Sequence, residues 1–276
     1  MTIRWIRSKW DFPDTPMEVF LRRITEAGFN GSEIYVPALT DSPDEVRRLH
    51  AEMNLTLVGM ISSEGQNPAE HLRTLETNFE RAVAFAPLRI NCHVGKDWFT
   101  MEDNARIIQH GIELAQTHAV PISFETHRGR ALFSATASTA LLEAVPAMRL
   151  TADFSHWCCV HESLLADQRE AVDRAISRAD YIHARVGHIE GPQVSDPLAP
   201  EWDAEREVHY AWWERIVRAR RREGVGEIAI CPEFGPWPYM PSLPFTRQPV
   251  ADLWQINLQM KDFIASRLGT GELASP

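Results

Sequence analysis

Residues 121–153, PISFETHRGRALFSATASTALLEAVPAMRLTAD, contain one complete structural unit. A β-rich run at 121–125 stops on Glu125, a polar turn follows, a helical stretch covers 135–144, and a second β-rich run at 149–153 stops on Asp153. Strand, helix and strand in that order mark a βαβ unit beside a parallel sheet.

The alternation extends in both directions. Strand-like runs at 3–7, 32–36, 56–61, 89–93, 121–125, 149–153, 180–185 and 227–231 alternate with helical stretches at 16–27, 43–53, 69–85, 102–117, 135–144, 163–178, 203–222 and 250–267. Helix starts carry their usual signals: Asp14, Thr15 and Pro16 open the first, and Ser42, Pro43 and Asp44 the second. Eight such units in 276 residues average about 34 residues each, which suits a (β/α)8 TIM barrel of ~250 residues. The rival, an open doubly wound sheet, would advertise a glycine-rich turn after its first strand. The segment after Arg7 reads Ser8, Lys9, Trp10, Asp11, Phe12, Pro13 and has no glycine. We therefore expect residues 1–276 to form a single (β/α)8 barrel domain.

Composition narrows the function. A hydrophobic fraction of 44% with 24% charged residues suits a globular chain that buries a core, and no apolar run reaches membrane-spanning length. The formal charge of -10 repels polyanions, which argues against a nucleic-acid partner. Cys92, Cys158, Cys159 and Cys231 form neither a disulfide framework nor a zinc-finger spacing and read as buried thiols. The N-terminus carries Arg4, Arg7 and Lys9 among its apolar residues, without a signal-peptide core, so a cytoplasmic location is expected.

In a barrel of this kind chemistry sits where the strands stop. The fifth stops at Glu125, the sixth at Asp153, the seventh presents His183 in Tyr181-Ile-His-Ala-Arg185, and the eighth runs into Glu233 in Cys231-Pro-Glu-Phe-Gly235. Three carboxylates crowded at one rim repel one another, and a bound cation is the simplest remedy. Carboxylate oxygens with one imidazole nitrogen favour a hard to borderline divalent ion over a thiolate-held structural zinc. Manganese is the first expectation, with magnesium, cobalt or zinc as alternatives.

These strand-end motifs resemble those of the xylose isomerase-like superfamily of sugar isomerases and epimerases, particularly ketose 3-epimerases, over nearly the whole chain. The resemblance implies that Glu125, Asp153, His183 and Glu233 hold one divalent ion, and that His156 and Arg185 lie beside the substrate oxygens. It also implies that Glu125 and Glu233 act as the acid/base pair. The reaction implied is proton transfer on a ketose or related polyol through an enediolate, with the metal as Lewis acid.

Other candidates for substrate contact are Glu33, which follows Gly31 and Ser32 of strand two, His93, which closes strand four, His127, two beyond Glu125, and Trp98, Trp157 and Trp237, which follow strand-end motifs closely enough to offer a flat wall to a sugar. His188 and Glu190 lie in a long connection that reads as a solvated loop or a lid. The segment 234–249, with Pro236, Pro238, Pro241, Pro244 and Pro249 among bulky apolar residues, is stiff and is expected to close the pocket or cover a neighbouring subunit, hence a homo-oligomer. The loops after strands seven and eight are not basic, so an unphosphorylated carbohydrate is the expected partner. A lyase, a dehydratase or β-eliminating enzyme, would use the same ligands. An apurinic endonuclease would need further histidines, notably after strand three, which ends Ile61-Ser-Ser63. A non-catalytic sugar-binding barrel would make the metal dispensable.

Overall fold

Strands β1 (Thr2–Ser8), β2 (Gly31–Tyr35), β3 (Thr56–Ser62), β4 (Arg89–His93), β5 (Ile122–Glu125), β6 (Leu150–Ala152), β7 (Ala179–His183) and β8 (Glu227–Cys231) lie side by side in sequence order. β8 pairs in parallel with β1, with Thr2 opposite Glu227 and Trp5 opposite Ile230, and so closes the barrel. This computed structural model describes residues 1–269. Outside the strands run α1 (Met17–Glu26), α2 (Pro43–Glu52), α3 (Pro68–Val83), α4 (Met101–His118), α5 (Ala135–Ala144), α6 (Ser155–His161), α7 (Arg169–Arg178), α8 (Asp203–Arg222) and α9 (Leu253–Gly269).

Local chemistry sets these boundaries. Side-chain oxygens of Ser42, Asn67, Thr100 and Ser134 accept backbone N–H bonds three residues on and start α2, α3, α4 and α5. Helix α1 buries Met17, Phe20, Leu21 and Ile24, one stripe at helical spacing. The inside of the barrel is filled by a separate cluster of Ile6, Val58, Tyr181, Ala229 and Cys231, as alternation along the strands requires. The N-terminal ends of the strands are tied by Arg4 to Glu227 and by Arg89 and Arg149 to Asp180. Cys92, Cys158 and Cys231 are buried and Cys159 partly so, all as free thiols. No helix among the described residues is long and apolar enough to cross a membrane.

Two boundaries differ from expectation. The helix expected over 163–178 begins only at Arg169, after turns, and a helix the sequence does not announce, α6, lies ahead of it at Ser155–His161. A seven-residue helix is too short to form on propensity alone. Tertiary contacts hold it: the Trp157 indole donates to Leu132 O at 2.9 Å and stacks on Phe154 at 4.9 Å, and Ser155 N donates to Asp153 Oδ1 at 3.1 Å. The segment after β7 packs on α6 at Gly187, where a Cβ would come within 2.8 Å of Ser155. The helix expected from 250 begins at Leu253.

His209 of α8 fastens that segment. Its Nδ1–H donates to Glu205 O at 2.8 Å, its Nε2 accepts from Gly187 N–H at 3.2 Å, and the side chain is fully buried. Burial lowers its pKa from 6.5 to about 4. Between those values the unfolded chain binds the proton and the folded chain resists it, so stability present above 6.5 is lost as the pH falls towards about 4. The shift corresponds to roughly 3 kcal/mol. His209→Gln keeps an acceptor for Gly187 and removes the titration. Urea unfolding of parent and variant at pH 7 and pH ~4.5 should show a smaller acid loss in the variant, and equal losses would refute this account.

Candidate active site

The rim side chains come from strand ends at a spacing of two. Asn91 and His93 close β4, Glu125 closes β5 with His127 two beyond, His183 closes β7 with Arg185 two beyond, and Glu233 lies two past Cys231 of β8. In a strand that spacing puts both members of each pair on one face. Asp153 follows β6 directly and is held by Thr126, whose hydroxyl donates to Asp153 O and accepts from Asp153 N, each at 2.8 Å.

Glu125, Asp153, His183 and Glu233 each present a ligand atom within 4.8 Å of the others, and all four are buried. His183 Nδ1 and Glu233 Oε2 stand 2.9 Å apart, yet each is buried without a hydrogen bond, so they are not aimed at one another. The other ring nitrogen of His183 lies 3.0 Å from Glu33 Oε2, and Asn91 donates to Glu125 Oε2 at 2.7 Å. A carboxylate on the far nitrogen of an imidazole fixes the tautomer that leaves the near nitrogen free to ligate. The donor set therefore fits a divalent ion of oxygen and nitrogen preference.

A second group, His93, Glu125 and His127, also brings its ligand atoms within 4.8 Å. Both nitrogens of His127 are engaged, Nδ1 at 2.6 Å from Arg128 O and Nε2 at 3.3 Å from the Tyr239 hydroxyl. This group is the poorer cation site.

Electrostatics follow the crowding. Burial pushes Asp153 up to about 6 against the pull of Arg185, which pairs with its Oδ2. Burial also raises Glu33. For Glu125 burial is outweighed by His93 and His183, which hold it well below the usual carboxylate range. His183 goes the other way: burial would lower it, but Glu233, Glu33 and Glu125 raise it well above an ordinary histidine. Burial and the neighbouring cationic groups keep His127 and His156 well below theirs.

Above the acids is a cavity of about 120 Å³ lined by Ser8, Trp10, Met60, His93, Glu125, His127, Arg185, Glu233 and Tyr239. Of the residues the sequence points to, Glu125, Glu233, Arg185, His93 and His127 thus border it. Asp153 and His183 lie buried beside them. His156 is fully buried; it accepts from Arg185 Nη2 at 2.8 Å and packs against His127 with ring centres 3.9 Å apart and tilted by 48°, so it orients Arg185 rather than bordering the cavity. Glu33 likewise stands behind His183. The three tryptophans are not the wall. Trp157 belongs to the core, while Trp98 and Trp237 are 64% and 59% exposed and outside the cavity lining. The flat wall is Trp10 and Tyr239, 5.3 Å apart and edge to face. Trp10 was legible by the strand-end rule, two residues past β1.

No protein-family model matches the chain, and no curated protein matches it in sequence. Solved structures do match. A xylose isomerase-like TIM barrel protein from Mycobacterium smegmatis, in complex with magnesium, aligns over 96% of this chain and 96% of its own at TM-score 0.64 and 14% identity. The 3-keto-D-glucoside 4-epimerase YcjR from E. coli aligns over 96% and 100% at TM-score 0.63 and 11% identity. Endonuclease IV from Thermus thermophilus aligns over 96% and 99% at TM-score 0.62 and 14% identity. Identities this low speak for architecture alone, and the architecture shared is the (β/α)8 TIM barrel.

Proposed function

We propose that the chain is a divalent-metal-dependent isomerase or epimerase of an unphosphorylated ketose or related polyol. The observation that carries this reading is the convergence of Glu125, Asp153, His183 and Glu233 beneath a roofed cavity that two of them, Glu125 and Glu233, also border. The magnesium complex of the M. smegmatis barrel and the epimerase YcjR agree with it. A divalent ion held by the four residues would supply Lewis-acid stabilisation of the charge that builds on substrate oxygens when a neighbouring carbon loses its proton.

The protein's own groups do the rest. Glu125 is held as a carboxylate by His93 and His183 and is available to accept a C–H proton. Glu233 Oε2 stands 2.9 Å from His183 Nδ1 and Glu125 Oε2 stands 3.4 Å from it, so both carboxylates reach the same point of the site. One carboxylate takes the proton, and the other returns a proton to the opposite face or the adjacent carbon. Arg185 is buried and held at three points, by Asp153, by Ser155 Oγ at 3.2 Å and by His156. Its guanidinium borders the cavity already oriented and donates to the oxygen that becomes negative.

Strand β3 supplies no metal ligand for an endonuclease-like site. Ser62 bonds the Tyr35 hydroxyl at 2.7 Å and Ser63 bonds His71 Nδ1 at 2.8 Å. A lyase would use the same residues and differs only in expelling a group from the next carbon.

Two experiments test the proposal. Purified chain should contain about one divalent ion, lose it to chelator, and recover with manganese both solvent-deuterium exchange into a ketose and thermal stability. An ion supplied at 100 times its Kd should add about 2.7 kcal/mol to stability. Absence of any ion-dependent change in melting or exchange would sink the metal site, whereas loss of water or an aglycone instead of exchange would assign the lyase reaction. Secondly, Glu125→Gln and Glu233→Gln, with metal content measured in each, should each lower exchange by roughly 10²- to 10⁴-fold. Exchange at the parent rate in either variant removes that residue from the acid/base pair.

A further inference from the structure

We infer that the site takes a short substrate, a three- or four-carbon hydroxycarbonyl compound, rather than a hexose. This rests on the isomerase reading for the type of chemistry and on the cavity for the size. A sealed apolar cavity of about 150 Å³ holds one benzene molecule, so the space of about 120 Å³ beneath the half-buried Trp10 and Tyr239, which opens to solvent at its mouth, takes about six non-hydrogen atoms before a ligand reaches that mouth. That is the size of a triose, and a hexose carries about twice as many.

A size limit means something only if the roof stays in place, and this roof is fastened at its root. Phe234 N–H donates to Asn257 Oδ1 at 2.9 Å while Asn257 Nδ2 donates back to Phe234 O at 3.0 Å. The next residue repeats the arrangement, with Gly235 N–H donating to Gln193 Oε1 at 2.7 Å and Gln193 Nε2 donating to Gly235 O at 3.1 Å. Asn257 of α9 and Gln193 of the long β7–α8 connection are themselves buried. Four hydrogen bonds thus lock the loop at its start, and the connection in which a lid was conceivable is bound into the same lock.

The roof proper is equally constrained. Tyr239 N–H donates to Pro236 O at 2.9 Å, and the neighbouring Met240 is buried as an anchor. The Tyr239 ring lies 4.6 Å from the Arg185 guanidinium, and its hydroxyl meets His127. Trp10 lies so close over Gly235 that a Cβ there would stand 1.6 Å from the indole. Neither ring can swing away without disturbing the lock or the proton-transfer residues beneath it. A longer sugar would have to displace Trp10 or Tyr239, and a pocket of fixed shape discriminates by tenfold or more for about one surplus carbon.

The test is a chain-length ladder read in two ways on manganese-loaded protein. Ligand-observed NMR titrations of glycerol, erythritol, xylitol and glucitol give binding without chemistry, and deuterium exchange into dihydroxyacetone, erythrulose, xylulose and fructose gives turnover. The expected result is that both affinity and exchange fall by about tenfold or more from the four-carbon to the six-carbon member. Tyr239→Ala, with Met60→Ala as a second opening of the wall, should raise the six-carbon to three-carbon ratio. Short polyols that bind while no ketose exchanges would uphold the size limit and overturn the isomerase reading. Glucitol binding as well as erythritol, or a ladder in which no member binds, would overturn the size limit.

Discussion

Arg185 meets Asp153 inside the barrel rim with both side chains buried, and the character of the site follows from how little positive charge that contact supplies. Glu33, Glu125, Asp153 and Glu233 are buried around one permanent cation. Unpaired buried carboxylates are costly, so such a set is tolerable only when protons or a further cation make up the difference. The raised His183 and Asp153 show the protein recruiting protons to this end. The opposite end of the barrel makes the contrast: Arg4 meets Glu227, and Arg89 and Arg149 meet Asp180, so acids there are matched by arginines. The deficit falls at the strand ends where barrels do chemistry, and the balance at the ends where they do not.

Rigidity around that deficit comes from outside the strands. His209 fixes the segment after β7, α6 carries His156 beneath Arg185, and Asn257 and Gln193 fasten the loop after β8. His209, Asn257 and Gln193 satisfy backbone groups that a loop would otherwise leave bare in a buried place, and His156 accepts from the Arg185 side chain. The orientation of Arg185 is therefore inherited from three loops at once, which is what electrostatic stabilisation of a developing charge requires.

The barrel and its acidic rim were legible because both depend on period. Alternation of strand and helix set the architecture, and the residue on which each strand stops set Glu125, Asp153, His183 and Glu233. Direction was not legible where period gives out. Trp98, Trp157 and Trp237 stand close to strand ends in sequence, but loops and α6 turn them outward or into the core. Glu33 sits in the middle of β2 and not at its end, one layer too deep to meet a substrate, so that it stands beneath His183. Tyr239 carries no sequence signal apart from the prolines around it; its place depends on Gln193, 46 residues before it, and Asn257, 18 residues after it.

An epimerase and an endonuclease share this fold, so the strands cannot by themselves decide the reaction or the substrate. What strands contribute is a fixed set of ligand positions; what loops contribute is the volume left above them. Here Trp10 comes from the first loop and Tyr239 from the last, and they meet because β1 and β8 are neighbours in a closed barrel. Closure of the sheet thus brings the two chain-distant ends of the alternation together over the acids. In an open sheet the first and last strands would not pair, and the roof that sets the size of this cavity would have no second half.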